Sequence, residues 1–513
     1  MPHRTTSSVA RTLLVPLVFA LLGPVCAVAD DATPDAATIR ARIEAAAGPQ
    51  WAQERTVLAV RHDGTTETRT TWRKGGDFRE DDVEGPFETQ SGSIHGQRWR
   101  QSENGVTVLV QPEPGHERSS PSTTTVRRVT TPVGGYMLET LDRQGYGLRE
   151  YVDPATWHVI RRESIVATGT TTTVFDDFRT ADGRTSAWHW VQSDGHAEDA
   201  QDARVVESSP GPVSVADVAM RGFRRDLFTF PSGTERVDLP IHVEDGQVYV
   251  RAEVGDRGLD LALDSGASYL TLSSDVAQQL GLKISDQQSV ITTQRYTTGR
   301  AILPYLKIGP FEMHNIVVRV LPPMWTTSRG DIKGAGLLGF DFLAQAAFKV
   351  DYEHSLLSVF PSDAFPAPHA PHMVTLDIRL ATGQPQTTVA INGTEADRFI
   401  VDTGGAGTLL FYDYFARRYP DVLDREILGE STRRFLGIGG SFGARPYQLS
   451  SLRLDTVTFT NVVAYAVTAR GPNDSNADGL IGSAFLQLFD VWIDYTNSRI
   501  YLVPNDNGRR AAT

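Results

Sequence analysis

Leu261-Ala262-Leu263-Asp264-Ser265-Gly266-Ala267 returns, 138 residues further along a chain of 513, as Phe399-Ile400-Val401-Asp402-Thr403-Gly404-Gly405. Each copy is an apolar strand that runs into Asp-Ser/Thr-Gly. A second shared phrase begins 72 and 77 residues past the two aspartates: Gly336-Leu337-Leu338-Gly339-Phe340-Asp341-Phe342-Leu343, then Gly479-Leu480-Ile481-Gly482-Ser483-Ala484-Phe485-Leu486. In both copies another Asp stands 12 residues beyond the last glycine of that phrase, in Val350-Asp351-Tyr352 and Ile493-Asp494-Tyr495. Both copies then close on a strand, 357–360 and 500–503. A repeat kept in this order is a duplicated domain, and two copies of one Asp can face each other across a pseudo-twofold axis.

Two opposed carboxylates form a defined chemical unit. Like charges about 3 Å apart cannot both ionise, so the pair holds one shared proton over a wide pH range. The ionised member takes a proton from water, and the protonated member hydrogen-bonds a scissile carbonyl oxygen. That is general acid–base hydrolysis with no covalent intermediate.

On these residues the chain resembles the aspartic proteases, specifically the bacterial retropepsin-like and pepsin-like group, whose double signature is Asp-Ser/Thr-Gly plus a later apolar-apolar-Gly. The resemblance implies a mainly β chain with two retropepsin-like β-barrel lobes about a pseudo-twofold axis, preceded by an antiparallel β-rich N-terminal domain. It implies Asp264 and Asp402 as the catalytic dyad of an endopeptidase acting on polypeptide, with no cofactor and no metal. The hydroxyls of Ser265 and Thr403 are expected to interlock across the lobe interface. Gly266 and Gly404 let the backbone pass close to the carboxylates, which a Cβ would obstruct. Leu337-Leu338-Gly339 and Leu480-Ile481-Gly482 are expected to pack beneath the two Asp loops, or simply to be core strand. Both copies depart from the pepsin-like pattern in having no hydroxyl directly after the glycine. Residues 405–408, Gly-Ala-Gly-Thr, are also richer in glycine than 267–270, Ala-Ser-Tyr-Leu. The retropepsin-like branch is favoured, and the support of the outer carboxylate oxygens stays open.

Family members close the cleft with a β-hairpin flap. In the second copy, residues 435–443 read Phe-Leu-Gly-Ile-Gly-Gly-Ser-Phe-Gly, placing glycines at Gly437, Gly439, Gly440 and Gly443. Such a tip is expected to be mobile. In the first copy, 292–299 occupies the equivalent place, with Tyr296 able to reach over substrate; an ordinary surface hairpin is the competing reading.

The length suits about three domains. Residues 1–29 read as a secretory signal: His3, Arg4 and Arg11 precede the apolar run 13–22, and Ala27-Val28-Ala29 offers a cleavage site before Asp30. That points to a periplasmic or secreted protein with no integral membrane segment after signal removal. The only cysteine, Cys26, falls inside this segment behind a poor lipoprotein box, so the lipoprotein reading is the minor one, and a mature chain cut after Ala29 has no thiol chemistry. A formal net charge of −13 argues against a nucleic-acid partner. Intrachain duplication fits a monomer whose lobes act as a pseudo-dimer.

Domains are expected at 30–225 (β-rich), 236–360 (first lobe), 361–372 (a Pro-rich, stiff spacer) and 373–505 (second lobe). In the first of these, a short helix over 35–47 precedes Thr- and Val-rich strands. Residues 151–156, Tyr-Val-Asp-Pro-Ala-Thr, followed by a strand and the Asp182-Gly183 hairpin, look like the curved half-barrels of bacterial lipoprotein carriers. Trp188, His189 and Trp190 then line an apolar groove or belong to the core.

Two motif matches are rejected. Gly439-x-Ser441-x-Gly443 fits a nucleophile elbow, yet all 12 histidines precede Ser441 and no βαβ alternation surrounds it. Residues 474–481 imitate a calcium loop, yet Phe485 stands where its last ligand should be. Against the endopeptidase stand two other classes: a peptide- or lipid-binding protein that keeps the cleft with little or no turnover, and an apolar-ligand carrier acting through the N-terminal domain. Retention of both aspartates favours the enzyme.

Overall fold

The Thr- and Val-rich segments ahead of residue 225 form one antiparallel meander. The computed structural model describes residues 33–62, 64–110, 123–130, 135–142, 145–166, 169–196, 200–222, 227–291, 295–323, 330, 332–405, 407–413, 415, 419–423, 432–438, 440–467 and 477–511. The expected signal with Cys26 lies outside them, as do Gly439 and residues 474–476 of the calcium-loop imitation. The chain is mainly β. From Gln53–His62 the strands step outward to Thr107–Val110 at one edge. They resume at the other edge with Thr123–Val129 and return to Gln201–Ser209, which pairs antiparallel with Gln53–His62.

The helix Ala36–Ala47 begins where the sequence expects it. Asp35 caps it by accepting from the Thr38 amide at 2.7 Å, and its Ile39 is fully buried against Leu138 and Val152. Rows of ion pairs run across the strands, Arg69 with Asp82 and Arg149 with Glu139 among them. The Trp188–Trp190 stripe is engaged across the strands as well, by three different kinds of contact. The Arg179 guanidinium lies 4.6 Å over Trp188, His189 meets Asp176, and Trp190 meets Phe175.

In the duplicated region six strands lie side by side: Val237–Glu244, Leu356–Phe360, Ala347–Asp351, Phe489–Asp494, Arg499–Pro504 and Val374–Asp377. The middle pairing, Phe348 opposite Ile493 and Val350 opposite Val491, joins the two copies. All four side chains are buried, and each such burial contributes about 1.5–3 kcal/mol. The copies therefore share a platform as well as a repeat. Above it each copy folds its own strands. Arg257–Leu263 pairs in parallel with Gly336–Leu338, and Thr394–Val401 with Gly479–Ile481, the same register twice.

The Pro-rich segment, expected to be a stiff spacer, carries no helix or strand and also makes contacts of its own. Phe365 packs edge-on against Trp492 at 5.7 Å and beside Tyr501, because its ring finds an aromatic surface on the second copy.

The N-terminal sheet is fastened to the first copy by the loop around Asn104 and by Arg300, which pairs with Glu84 and lies over the Phe87 ring. Asn104 donates to Val317 O and Asp341 Oδ2, both at 2.8 Å, and accepts from the Val317 amide at 2.8 Å. Ser102 donates to Asp341 Oδ1 at 2.7 Å, and Glu103 pairs with Arg319 at 2.6 Å. Val106 and Val108 join the core that runs through both copies. Among the described residues no helix is long and apolar enough to cross a membrane.

Candidate active site

The two shared phrases meet exactly where their order in the chain requires a tight junction: the Asp264 amide donates to Leu338 O at 3.1 Å and the Asp402 amide to Ile481 O at 2.9 Å. Each Asp loop thus springs from a buried parallel strand pair, and the expectation that Leu337-Leu338-Gly339 and Leu480-Ile481-Gly482 lie beneath the loops matches this placement. Gly336 and Gly479, which open the second phrase, have no room for a Cβ: it would stand 2.0 Å from Thr271 O and 2.2 Å from Leu410 O.

Ser265 and Thr403 bind each other's loops reciprocally. Ser265 Oγ donates to Val401 O at 2.7 Å and accepts from the Thr403 amide at 3.0 Å. Thr403 Oγ1 donates to Leu263 O at 2.7 Å and accepts from the Ser265 amide at 3.0 Å. Both side chains are buried, so each hydroxyl satisfies two backbone groups that water cannot reach.

This lock brings Asp264 and Asp402 into one hydrogen-bonded pair, with the glycines crossing over. A Cβ on Gly266 would stand 2.6 Å from Asp402 Cγ, and one on Gly404 would stand 2.4 Å from Asp264 Cγ. Both carboxyls keep some solvent exposure but are closely surrounded by protein. Burial pushes Asp264 well above the usual carboxylate range, and the neighbouring Asp402 pushes it further. Burial also raises Asp402, while the Gly404 amide, 2.9 Å from Oδ1, works to keep it ionised. The upward push is stronger on Asp264, so a proton shared by the two favours Asp264.

Tyr296 and the described tip residue of the second copy's hairpin pack beside the first copy's loop. Arg433–Gly437 and Gly440–Leu454 form a hairpin with Gly437 opposite Gly440, and Gly443 lies on its second strand opposite Arg434. Its tip residue Ile438 is partly buried with Tyr296 and Ala267, beside Leu337 and Tyr249. Tyr296 itself lies on Arg295–Ile308, opposite Val290 of the antiparallel strand Ser285–Ile291.

Sequence reasoning missed four residues. Gln247 and Gln384 reach across to the opposite loops, and their signal is a Gly-Gln pair 17 and 18 residues before the two aspartates. Tyr352 and Tyr495, part of the shared Asp-Tyr step, are buried, and burial first and the nearby carboxyl charge second push their phenols up, Asp402 acting on Tyr352 and both aspartates on Tyr495. Among the described residues no three His, Cys, Asp or Glu side chains are placed to hold a metal ion.

None of the curated proteins matches the chain. An aspartic proteinase from Irpex lacteus is 13% identical over 54% of this chain and 100% of its own, with TM-score 0.35. A retropepsin-like aspartic protease from Rickettsia conorii is 22% identical over 25% of this chain and 89% of its own, with TM-score 0.20. A LolA superfamily protein from Nitrosomonas europaea is 10% identical over 37% of this chain and 99% of its own, with TM-score 0.29. A family model described as aspartyl protease matches residues 250–342 and matches again at 387–485. Both segments that carry the paired carboxyls are therefore aspartyl-protease-like domains.

Proposed function

We propose that the protein is a secreted or periplasmic aspartic endopeptidase in which two lobes of one chain supply Asp264 and Asp402 to a single catalytic dyad. The observation that carries this reading is the crossed packing of the two loops: each carboxyl rests on the other copy's glycine, and the pair shares a hydrogen bond. Asp402, supported by the Gly404 amide, is the base that draws a proton from the attacking water. Asp264 carries the shared proton and gives it first to the scissile carbonyl oxygen. The proton taken by Asp402 then goes to the leaving amine, while one hydroxyl of the tetrahedral gem-diol returns its proton to Asp264 as the C–N bond breaks and the new carboxyl forms. The pair thereby returns to one proton, and no covalent enzyme intermediate forms. The hairpins bearing Tyr296 and Ile438 cover the bound polypeptide.

Purified mature protein incubated with a denatured protein across pH tests the proposal. Peptide-bond cleavage on the acidic side, blocked by a statine-type transition-state analogue, supports it. No cleavage at any pH, together with tight peptide binding, would replace it with a binding protein that keeps the cleft.

A further inference from the structure

The same hairpin turn precedes the Asp strand in both copies. Asp245-Gly246 connects Val237–Glu244 to Gln247–Val254, and Thr382-Gly383 connects Arg379–Ala381 to Gln384–Ile391. All four turn residues have positive φ, 52° and 80° in the first turn and 53° and 87° in the second. Two such residues in succession make the tight turn whose twist suits a two-residue hairpin. Each turn nests against the other copy: a Cβ on Gly246 would stand 2.8 Å from Ser483 Oγ, and one on Gly383 would stand 2.9 Å from Phe340 Cγ. Ser483 and Phe340 are themselves equivalent, each directly after the last glycine of the second shared phrase.

The glutamine after each turn then crosses to the opposite loop. Gln247 Nε2 donates to Gly404 O at 2.8 Å, and Gln384 Nε2 donates to Gly266 O at 2.6 Å. Gly404 faces Asp264, and Gly266 faces Asp402. Each loop glycine is thus held between a glutamine and an aspartate of the other copy. Tyr249 fixes the orientation of Gln247 by donating to its Oε1 at 2.8 Å.

We propose that Gln247 and Gln384 are positioning residues that set the separation of the Asp264 and Asp402 carboxyls, and through it how strongly the pair shares its proton. The proposal rests on the dyad reading above. Repulsion between two charges falls as they separate, so a slackened loop lets the two ionisations draw together. The singly protonated window then narrows. Among the described residues, the buried phenols of Tyr352 and Tyr495 also face the pair.

Three variants test this: Gln384→Leu and Gln247→Leu, which keep size but lose the donor, and Gln384→Glu, which donates only while protonated. The readouts are the pH profile of peptide hydrolysis and, independent of activity, carbon-13 NMR titration of the carboxyls, assigned with Asp264→Asn. Gln384→Leu is expected to bring the two apparent pKa values closer by about one unit or more, and to lower kcat about tenfold with KM little changed. Gln384→Glu should match the wild type at the acid end and the Leu variant at the upper end. A Leu variant with the wild-type gap between ionisations overturns the proposal, whether its kcat is normal or falls only in step with its melting temperature. If the wild type cleaves nothing, the endopeptidase reading fails, and the carboxyl titration still decides the role of the glutamines.

Discussion

Gly266 lies against the carboxyl of Asp402, so near that a Cβ on it would stand 2.6 Å from Asp402 Cγ. The contact makes the first copy's backbone part of the second copy's site. Gly266→Ala must therefore displace either the loop or the carboxyl. Misplacement of a reacting group by about 1 Å can cost on the order of 10²-fold, and a loss of that size is expected in kcat. Folding should survive, with a melting shift of a few degrees for a clash of about 1–3 kcal/mol. Near-normal turnover in this variant would mean that the glycine contact does not constrain the chemistry.

Replacing either aspartate with Asn keeps shape but removes the shared proton. Asp264→Asn and Asp402→Asn should each lose about 10²–10⁴-fold or more in rate while folding normally. Rates on a peptide substrate, with circular dichroism as the control, decide it. Normal turnover by Asp402→Asn beside a dead Asp264→Asn would break the intrachain dyad.

Acidity gives a second, activity-free check on the same pair. Burial is the leading cause that raises both carboxyls, so the native state binds a proton that the unfolded chain releases near the ordinary Asp value. That contribution to stability is fully present below the unfolded pKa and is lost as pH rises through the folded values. Asp264→Asn should therefore gain melting temperature relative to the wild type as pH rises from acid to neutral. The rate profile should be a bell on the acidic side. A difference in melting temperature that stays flat with pH would show that the pair is not protonated in the native state.

The aspartates were legible in sequence because the repeat spells them twice, and the strand pairing behind them follows from the apolar run before each Asp. Ser265 and Thr403 were legible through the resemblance alone. The grip of Gln247 and Gln384 was not, since a Gly-Gln step is ordinary in any hairpin and its meaning arises only when the opposite loop arrives. The joint between Ala347–Asp351 and Phe489–Asp494 was hidden for the same reason: alternation marks a strand, not its partner. The docking of Asn104 on Asp341 left no trace in sequence either, because two single polar residues so far apart in the chain carry no mark of each other.

That docking has its own pH signature. Asp341 is buried and its pKa is pushed up to about 6, chiefly by desolvation, against the donors Asn104 and Ser102. Relative to an unfolded Asp near 3.8, the protonated native form adds about 3 kcal/mol below that value, an order-of-magnitude figure, and loses it as pH climbs through 6. Asp341→Asn cannot titrate, so its stability should fall less steeply than the wild type's between pH 4 and 6 in urea unfolding. Equal slopes would show that Asp341 is already ionised in that range. Asn104→Ala removes three hydrogen bonds to the first copy, and it should loosen the N-terminal sheet from it, visible as earlier proteolysis between the two.

The hairpin tip at Ile438 joins the copies from above. Its side chain is partly buried on the same apolar cluster as Tyr296 and Ala267, so the second copy's hairpin reaches the patch on which the first copy's Asp loop and its own hairpin also pack. A flap in this position must open to admit a polypeptide and close again before hydrolysis. Ile438→Ser weakens the closed state by removing apolar contact, a loss of about 1–2 kcal/mol for a half-buried side chain. If the hairpin is a flap, that loss appears as a drop of about tenfold in kcat/KM for long peptides, with less effect on a short one. Stability should hardly change, because a hairpin tip opens locally at little cost to the rest of the fold. If the tip is instead a fixed part of the second copy, the melting temperature falls by several degrees and kcat/KM per folded molecule stays constant. Melting curves and kcat/KM measured on this one variant separate the two, and the second outcome would remove the flap assignment.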